Sequence, residues 1–148
     1  MHVDVDQSGK IGDTRVATVL AFSNEESCAI LIPATVKRAC LQELRKQGKL
    51  GTTLYIQLFA TGLYLLLRDH IRNLKYVVID IEYPGHDAKI KQHLLNLLWR
   101  YGASASGEII SFQPTRKKSN AHTKALSVFV GSIQPDKIIG TKDILSEF

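Results

Sequence analysis

Two short apolar segments of this 148-residue chain each carry a pair of carboxylates two residues apart. Asp4 and Asp6 alternate with valines, and Asp80 and Glu82 alternate with isoleucines. Because side chains alternate between the two faces of a strand, each pair should project from one face. If the strands are neighbours, their four carboxylates repel one another unless protons or divalent cations neutralise them. The pattern predicts a site for Mg²⁺ or Mn²⁺, hard ions that prefer oxygen ligands.

A carboxylate site of this kind suits phosphodiester hydrolysis. Two metal ions about 3.5–4 Å apart activate a water molecule and stabilise the leaving oxygen. The simpler alternative is that Asp6 and Glu82 are strand-terminal acids that face solvent. Asp4 and Asp80 argue against it, because they lie within apolar runs, where an unpaired buried carboxylate costs on the order of several kcal/mol. We predict that all four carboxylates are metal ligands and catalytic residues.

His122 is a further candidate for the catalytic site. A histidine at this place can serve as a last metal ligand or as a proton shuttle near neutral pH. The alternative is a structural histidine that makes a hydrogen bond on a partly apolar helix, which is the more common situation. The sequence leaves both interpretations open.

Positive charge exceeds negative charge, with 19 Lys and Arg against 14 Asp and Glu and a net charge of +5. This excess favours a polyanionic partner, nucleic acid before membrane. Two basic clusters suit phosphate binding, although a solvated helix face also explains the first. We assign nucleic-acid binding to the second cluster, whose turn follows a strand at the carboxylate edge, and to Lys10, in a Ser-Gly-Lys turn that weakly matches a phosphate loop. The first cluster is Lys37, Arg38, Arg45 and Lys46, and the second is Arg116, Lys117 and Lys118.

The elements that must position these residues follow from apolar periodicity and from Gly and Pro breaks. Alternating or continuous apolar runs predict five strands, and stripes of period 3.6 predict the helices. The predicted strands are residues 2–7, 16–22, 27–32, 76–83 and 108–112, and the predicted helices are residues 36–47, 52–69, 86–101 and 121–130, with a short one at 142–148.

This order predicts one α/β domain over residues 1–148, with helices flanking a mixed five-stranded sheet. Short connections make the first three strands an antiparallel meander. Right-handed crossovers then place the fourth strand beside the first, and the fifth outside it, both parallel to the first. The expected spatial order is 3-2-1-4-5, which makes the two acidic strands neighbours.

With acidic first and fourth strands, this arrangement resembles the ribonuclease H-like fold, and it is most similar to the Holliday-junction resolvase branch. In that branch the first strand carries an Asp, here Asp4 or Asp6, and the fourth carries a Glu, here within Ile81-Glu82-Tyr83. A proline and a basic segment usually follow the fifth strand, as in Phe112-Gln113-Pro114-Thr115-Arg116-Lys117-Lys118. The resemblance implies a last ligand on the final helix, where this chain offers His122.

The leading functional hypothesis is a metal-dependent nuclease that acts on structured DNA or RNA. A non-catalytic nucleic-acid or protein-binding module on the same fold is the alternative. A nucleotide phosphohydrolase is a third possibility, which the lack of a glycine-rich phosphate loop disfavours.

Residues 54–67 form the most apolar run of the chain, and it is too short to span a bilayer. A buried helix or a homodimer face explains this run. The two cysteines, Cys28 and Cys40, have no metal-binding spacing and are expected to be free thiols. Without a leader-like N-terminus, the chain is expected to be cytoplasmic.

Overall fold

The computed structural model describes residues 2–24, 26–114 and 119–148. The strands are β1 (His2–Ser8), β2 (Thr18–Asn24), β3 (Ser27–Ile32), β4 (Tyr76–Asp80), β5 (Ile110–Gln113) and β6 (Lys137–Ile138). The helices are α1 (Ala34–Lys46), α2 (Gly51–Leu67), α3 (Asp87–Arg100), α4 (Asn120–Phe129) and α5 (Thr141–Leu145). Two short 3₁₀ turns cover Ile71–Asn73 and Gly107–Ile109.

The strands form one mixed sheet in the order β5-β4-β1-β2-β3-β6. β2 pairs antiparallel with both β1 and β3, whereas β4 pairs parallel with β1 and β5. The predicted α/β class with a mixed sheet is therefore confirmed. The predicted number of five strands is wrong, and the full order differs by β6, which pairs parallel with β3. A two-residue strand has too little periodicity to be recognised in the sequence.

Alternation along β1 divides its side chains between two differently covered faces. Val3 and Val5 point into the main core, which contains apolar residues of α1, α2 and α3. The other face of the sheet carries Asp6 and is covered by α4, whose Ala125 and Val128 pack on small residues of β2 and β3. The small side chains in this second layer bring α4 close to the sheet, and thereby close to Asp6.

The apolar helix α2 belongs to the core of the chain. Twelve of its residues are buried, and only its first turn is exposed. The helix is apolar around most of its circumference because it lies between the sheet and α3. The proposed homodimer face at residues 54–67 is therefore not available on this helix. Among the described residues, no helix combines the length and the hydropathy of a membrane span.

The loop between β1 and β2 is held from inside by Lys37. This side chain is only 3% exposed, and its ammonium donates to the carbonyl oxygens of Lys10 and Asp13 and to Thr18 Oγ1, at 3.0, 2.6 and 3.0 Å. Burial lowers the pKa of Lys37 to about 8, which leaves it mostly charged at neutral pH. Its assignment to an exposed basic helix face is wrong, because its ammonium is buried and donates hydrogen bonds to backbone carbonyl oxygens of this loop.

Gly9 begins the same loop in a conformation that suits glycine. Its φ is +79°, and a Cβ atom there would lie 2.1 Å from the Ala17 carbonyl oxygen and 2.8 Å from the Phe129 ring. The loop and α4 thus meet across a gap that admits no side chain. Glycine at this position lets the end of β1 lie directly under the helix that carries His122.

We expect Gly9→Ala to lower the free energy of unfolding by about 3 kcal/mol, from backbone strain plus overpacking. Gly48→Ala is the matched control, because Gly48 has φ +88° but no atom lies within 4 Å of the place that its Cβ would take, so only the strain of about 1–2 kcal/mol applies. Urea denaturation of both variants measures the difference. Equal losses would show that the contacts to Ala17 and Phe129 are unimportant.

Candidate metal centre

The parallel register of β1 and β4 brings two of the predicted carboxylates together. Val5 pairs with Ile79, so the next residues, Asp6 within β1 and Asp80 at the carboxyl end of β4, lie side by side. Glu82 follows two residues later, in the turn beyond β4. One carboxylate oxygen of each of these three residues lies within 4.8 Å of the others. We call Asp6, Asp80 and Glu82 the acidic trio.

The burial and the close spacing of the acidic trio disfavour three negative charges. Asp6 is 5% exposed, and Asp80 and Glu82 are half-buried. Burial, with a hydrogen bond and charge repulsion from Asp80 and further repulsion from Asp6, raises the pKa of Glu82 to about 8. Burial also raises the pKa of Asp6, although the Gln7 backbone N–H donates to it at 2.8 Å. Glu82 therefore retains its proton at neutral pH unless a cation replaces it.

A divalent cation fits this donor set. All three donors are carboxylate oxygens, which are the ligands that Mg²⁺ and Mn²⁺ prefer. Burial, followed by repulsion from neighbouring carboxylates, raises the pKa values of Asp6 and Glu82, and a 2+ ion would neutralise that repulsion. The position is also the one where open α/β sheets bind ligands, beyond the carboxyl ends of adjacent parallel strands.

His122 reaches the trio from α4. Ser119 caps this helix by accepting a hydrogen bond from the His122 backbone N–H at 3.1 Å. The ring then lies with Nδ1 3.0 Å from Asp6 Oδ2. When Asp6 is ionised its oxygen only accepts, so Nδ1 donates and the Nε2 lone pair of the neutral ring remains available. The side chain is 39% exposed, so part of it is accessible to solvent.

Asp4 is separated from the acidic trio. It lies two residues earlier in β1, where its neighbour on β4 is Val78. Its carboxylate is 33% exposed and lies 3.4 Å from His2 Nε2. It shares a face with Asp6, as predicted, but it does not belong to the group of three whose oxygens converge. The carboxylates converge where β4 ends beside Asp6, and Asp4 lies one pleat earlier in β1.

The fourth strand is shorter than predicted. β4 ends at Asp80, and residues 81–83 form a bend rather than the end of a strand. The apolar Ile81 extends the predicted run, although it is only half-buried. The bend still leaves Glu82 close to Asp80, which is why the two carboxylates converge.

The predicted phosphate-binding residues differ in where they lie. Lys10 is exposed in the loop after β1 and lines a groove of about 420 Å³ together with Tyr55 and Tyr83. The groove is connected to the trio through the chain, because Tyr83 follows Glu82 directly. Arg116, Lys117 and Lys118 lie outside the described residues, so their assignment stays a prediction.

The sequence-based assignment of Lys37 to an exposed helix face is also wrong. Residues 37, 40, 41 and 44 recur at the spacing of one helix face, and all four are buried in α1. A lysine in phase with an apolar stripe is a sign that its ammonium bonds internal acceptors. That signal is present in the sequence, and grouping Lys37 with its basic neighbours overlooks it.

Comparison of the chain with protein-family models, with curated proteins and with solved structures found no match. The case for a metal centre therefore depends on the geometry of the acidic trio and on the contact of His122 with Asp6.

Proposed function

We propose that this chain is a divalent-metal-dependent nuclease of ribonuclease H-like fold that hydrolyses phosphodiester bonds in structured nucleic acid, in the manner of a Holliday-junction resolvase. The observation that carries the proposal is the acidic trio, whose oxygens lie within 4.8 Å of one another where β4 ends beside the parallel strand β1. The burial of Asp6 gives the trio a strong reason to bind a cation.

The mixed sheet supports the finer assignment of fold. An antiparallel β1–β2–β3 meander is followed by the parallel strands β4 and β5. A late helix, α4, then packs on the acidic face of the sheet and directs one side chain to the first strand's carboxylate. This order of elements, with acids on the first and fourth strands, is the basis of the resemblance to ribonuclease H-like nucleases.

In this proposal Asp6, Asp80 and Glu82 hold the metal. The bound ion supplies Lewis acidity and lowers the pKa of a coordinated water. His122 holds Asp6 in position through Nδ1 and can take or give a proton at Nε2. Lys10, with Arg116, Lys117 and Lys118, contacts phosphates of the substrate. Two free cysteines, Cys28 and Cys40, fit the proposed cytoplasmic location.

Metal titration followed by a cleavage assay tests the proposal. We expect the purified chain to bind Mn²⁺ and Mg²⁺ and to cleave at least one of three substrates, which are a four-way DNA junction, an RNA–DNA hybrid and a linear DNA duplex. Cleavage should require the divalent ion and cease with EDTA. Failure to bind Mn²⁺ would refute the metal centre.

A non-catalytic nucleic-acid-binding module is the second candidate, and one observation favours it. From α4 the site receives a histidine, and the converging group of described residues includes no carboxylate from that helix. Metal-independent binding of the same substrates, with cleavage of none, would support this candidate over the nuclease.

A further inference from the structure

A basic surface lies on α1 and on the loop between β1 and β2, which follows the strand that carries Asp6. Two surface grooves, of about 420 and 590 Å³, are both lined by residues of this loop. The first contains Lys10, and the second contains Arg38, Arg45 and Lys46. We call these four residues the basic edge. All four are exposed.

The charge of these grooves is strongly one-sided. Twelve of the described residues line them, and five of these are basic while Asp13 alone is acidic. Asp13 is already neutralised by Arg15, which donates from Nε and from a terminal nitrogen at 3.0 and 3.1 Å. This pair removes one charge of each sign, and the four cations of the basic edge remain. Such a surface suits a polyanion.

Hydrogen bonds fix the basic edge to the loop and to α2. Arg38 donates to the Thr14 carbonyl oxygen at 2.7 Å, and Arg45 donates to the Tyr55 hydroxyl at 3.1 Å. The buried Lys37 ammonium holds the same loop from the inside through the carbonyl oxygens of Lys10 and Asp13. The backbone that carries these cations is therefore preorganised, which lowers the entropy cost of binding a ligand along it.

The position of the basic edge connects it with the trio. Its loop continues from β1, which carries Asp6, and its first groove includes Tyr83, which follows Glu82. From there α1 extends the surface by about 20 Å, at 1.5 Å per residue for 13 residues. Tyr55, which lines the first groove and accepts from Arg45, thus connects α1 to the groove that contains Tyr83.

The grooves favour contacts to phosphates over contacts to bases. Among the described residues that line them, the aromatic ones are Tyr55 and Tyr83, both half-buried, and the Tyr55 hydroxyl accepts from Arg45. Proteins that hold single strands stack bases on exposed aromatic side chains. A duplex instead presents its phosphates outward and keeps its bases stacked internally.

We propose that the basic edge binds the phosphate backbone of a nucleic-acid duplex and directs it to the acidic trio. The proposal rests on the proposed nuclease function only for what happens at the trio. Binding along α1 needs neither the metal nor cleavage.

The test measures binding without catalysis, in EDTA and in an Asp6→Asn/Glu82→Gln background. The variant Lys10→Ala/Lys46→Ala removes two cations whose side chains make no hydrogen bond with the described residues. Arg72→Ala/Lys75→Ala is the control, because it removes the same charge at two exposed positions. These positions precede the amino end of β4, whereas the trio lies at its carboxyl end. The ligand is a 20-base-pair duplex, followed by fluorescence anisotropy at several salt concentrations.

We expect the Lys10/Lys46 variant to bind the duplex about tenfold more weakly at 50 mM salt and to lower the salt slope by about 2, since each phosphate contact contributes about 0.9. The control should stay within about twofold in affinity, with an unchanged slope. Equal losses in the two variants would overturn the proposal, because net charge alone would then explain binding. Tighter binding of the separated single strand than of the duplex would also overturn it. Neither result bears on whether the trio binds metal.

Discussion

Replacing Asp6 with asparagine is expected to reduce metal-dependent cleavage by on the order of 100-fold or more. Asp6 is the most deeply buried member of the acidic trio, it lies beside Asp80, and it is the carboxylate that His122 contacts. Asparagine keeps the size of the side chain but removes its charge, so it cannot replace an ionised ligand. Mn²⁺ affinity by calorimetry and cleavage rate under saturating metal measure the two consequences separately.

Asp4→Asn is the matched control, because it makes the same chemical change two residues earlier on the same face of β1. The Asp4 carboxylate lies by His2 and outside the trio. We expect this variant to retain its Mn²⁺ affinity and its cleavage rate within about threefold, as for exposed charges distant from a site. Loss of Mn²⁺ binding in Asp4→Asn with retention in Asp6→Asn would show that the wrong carboxylate has been assigned.

Metal affinity is expected to rise about tenfold for each pH unit below about pH 8 and to level off above it. The reason is the pKa of Glu82, about 8, which burial and the neighbouring Asp80 carboxylate produce. A carboxylate must lose its proton before it binds a cation, so metal and proton compete. Asp6, whose pKa is also raised, makes the dependence steeper at lower pH. Mn²⁺ titrations between pH 6 and pH 9 measure the slope.

The stability of the metal-free protein should also depend on the titration of Glu82. It should change with pH in the opposite direction to the metal affinity. Between about 4.5 and 8, Glu82 is protonated in the folded protein and ionised in the unfolded chain. The folded state therefore binds more protons in this range, and the free energy of unfolding falls as the pH rises. Saturating Mn²⁺ binds the folded state only and opposes the fall.

The variant Glu82→Gln tests whether Glu82, and not another titrating group, causes this dependence of stability on pH. Glutamine resembles the protonated acid but has no ionisable group, so the fall in metal-free stability between about pH 4.5 and pH 8 should be smaller. Its metal affinity should be weaker and less dependent on pH. An unchanged pH profile of stability in Glu82→Gln would contradict the assigned pKa.

The sequence predicted the sheet and the adjacency of the acidic strands because both follow from general rules. Alternation identified the face that carries Asp6 and Asp80. The handedness of the crossovers made β1 and β4 neighbours, which they are. Three of the four predicted carboxylates consequently converge in the structure, and His122 contacts one of them.

Alternation shows on which face of a strand a residue lies, but it does not show how far along the strand the partner strand extends. Asp4 and Asp6 have the same periodicity, yet only Asp6 lies level with the carboxyl end of β4. The place where β4 ends is itself hidden by the apolar Ile81, so Glu82 is predicted in a strand and lies in a bend. Tertiary packing, rather than the local sequence pattern, determines where a strand ends.

The apolar pattern of the sequence likewise does not determine whether a given residue or helix is buried. The apolar α2 is compatible with a core helix or with a dimer face, and the surrounding elements determine that it is core. β6 forms only because the chain returns beside β3 after α4. Lys37 differs, because its spacing with Cys40 and Leu44 already places it on the buried face.

The contact between His122 and Asp6 also has a consequence for the order of folding. It joins residues 116 positions apart, and the pairing of β1 with β4 joins segments more than 70 residues apart. The β1–β2–β3 meander, by contrast, involves only local connections. Loop-closure entropy delays contacts between distant segments, so the meander should form first and the acidic centre late. A nascent or partly folded chain would then lack the contact between His122 and Asp6 until α4 has docked on the sheet.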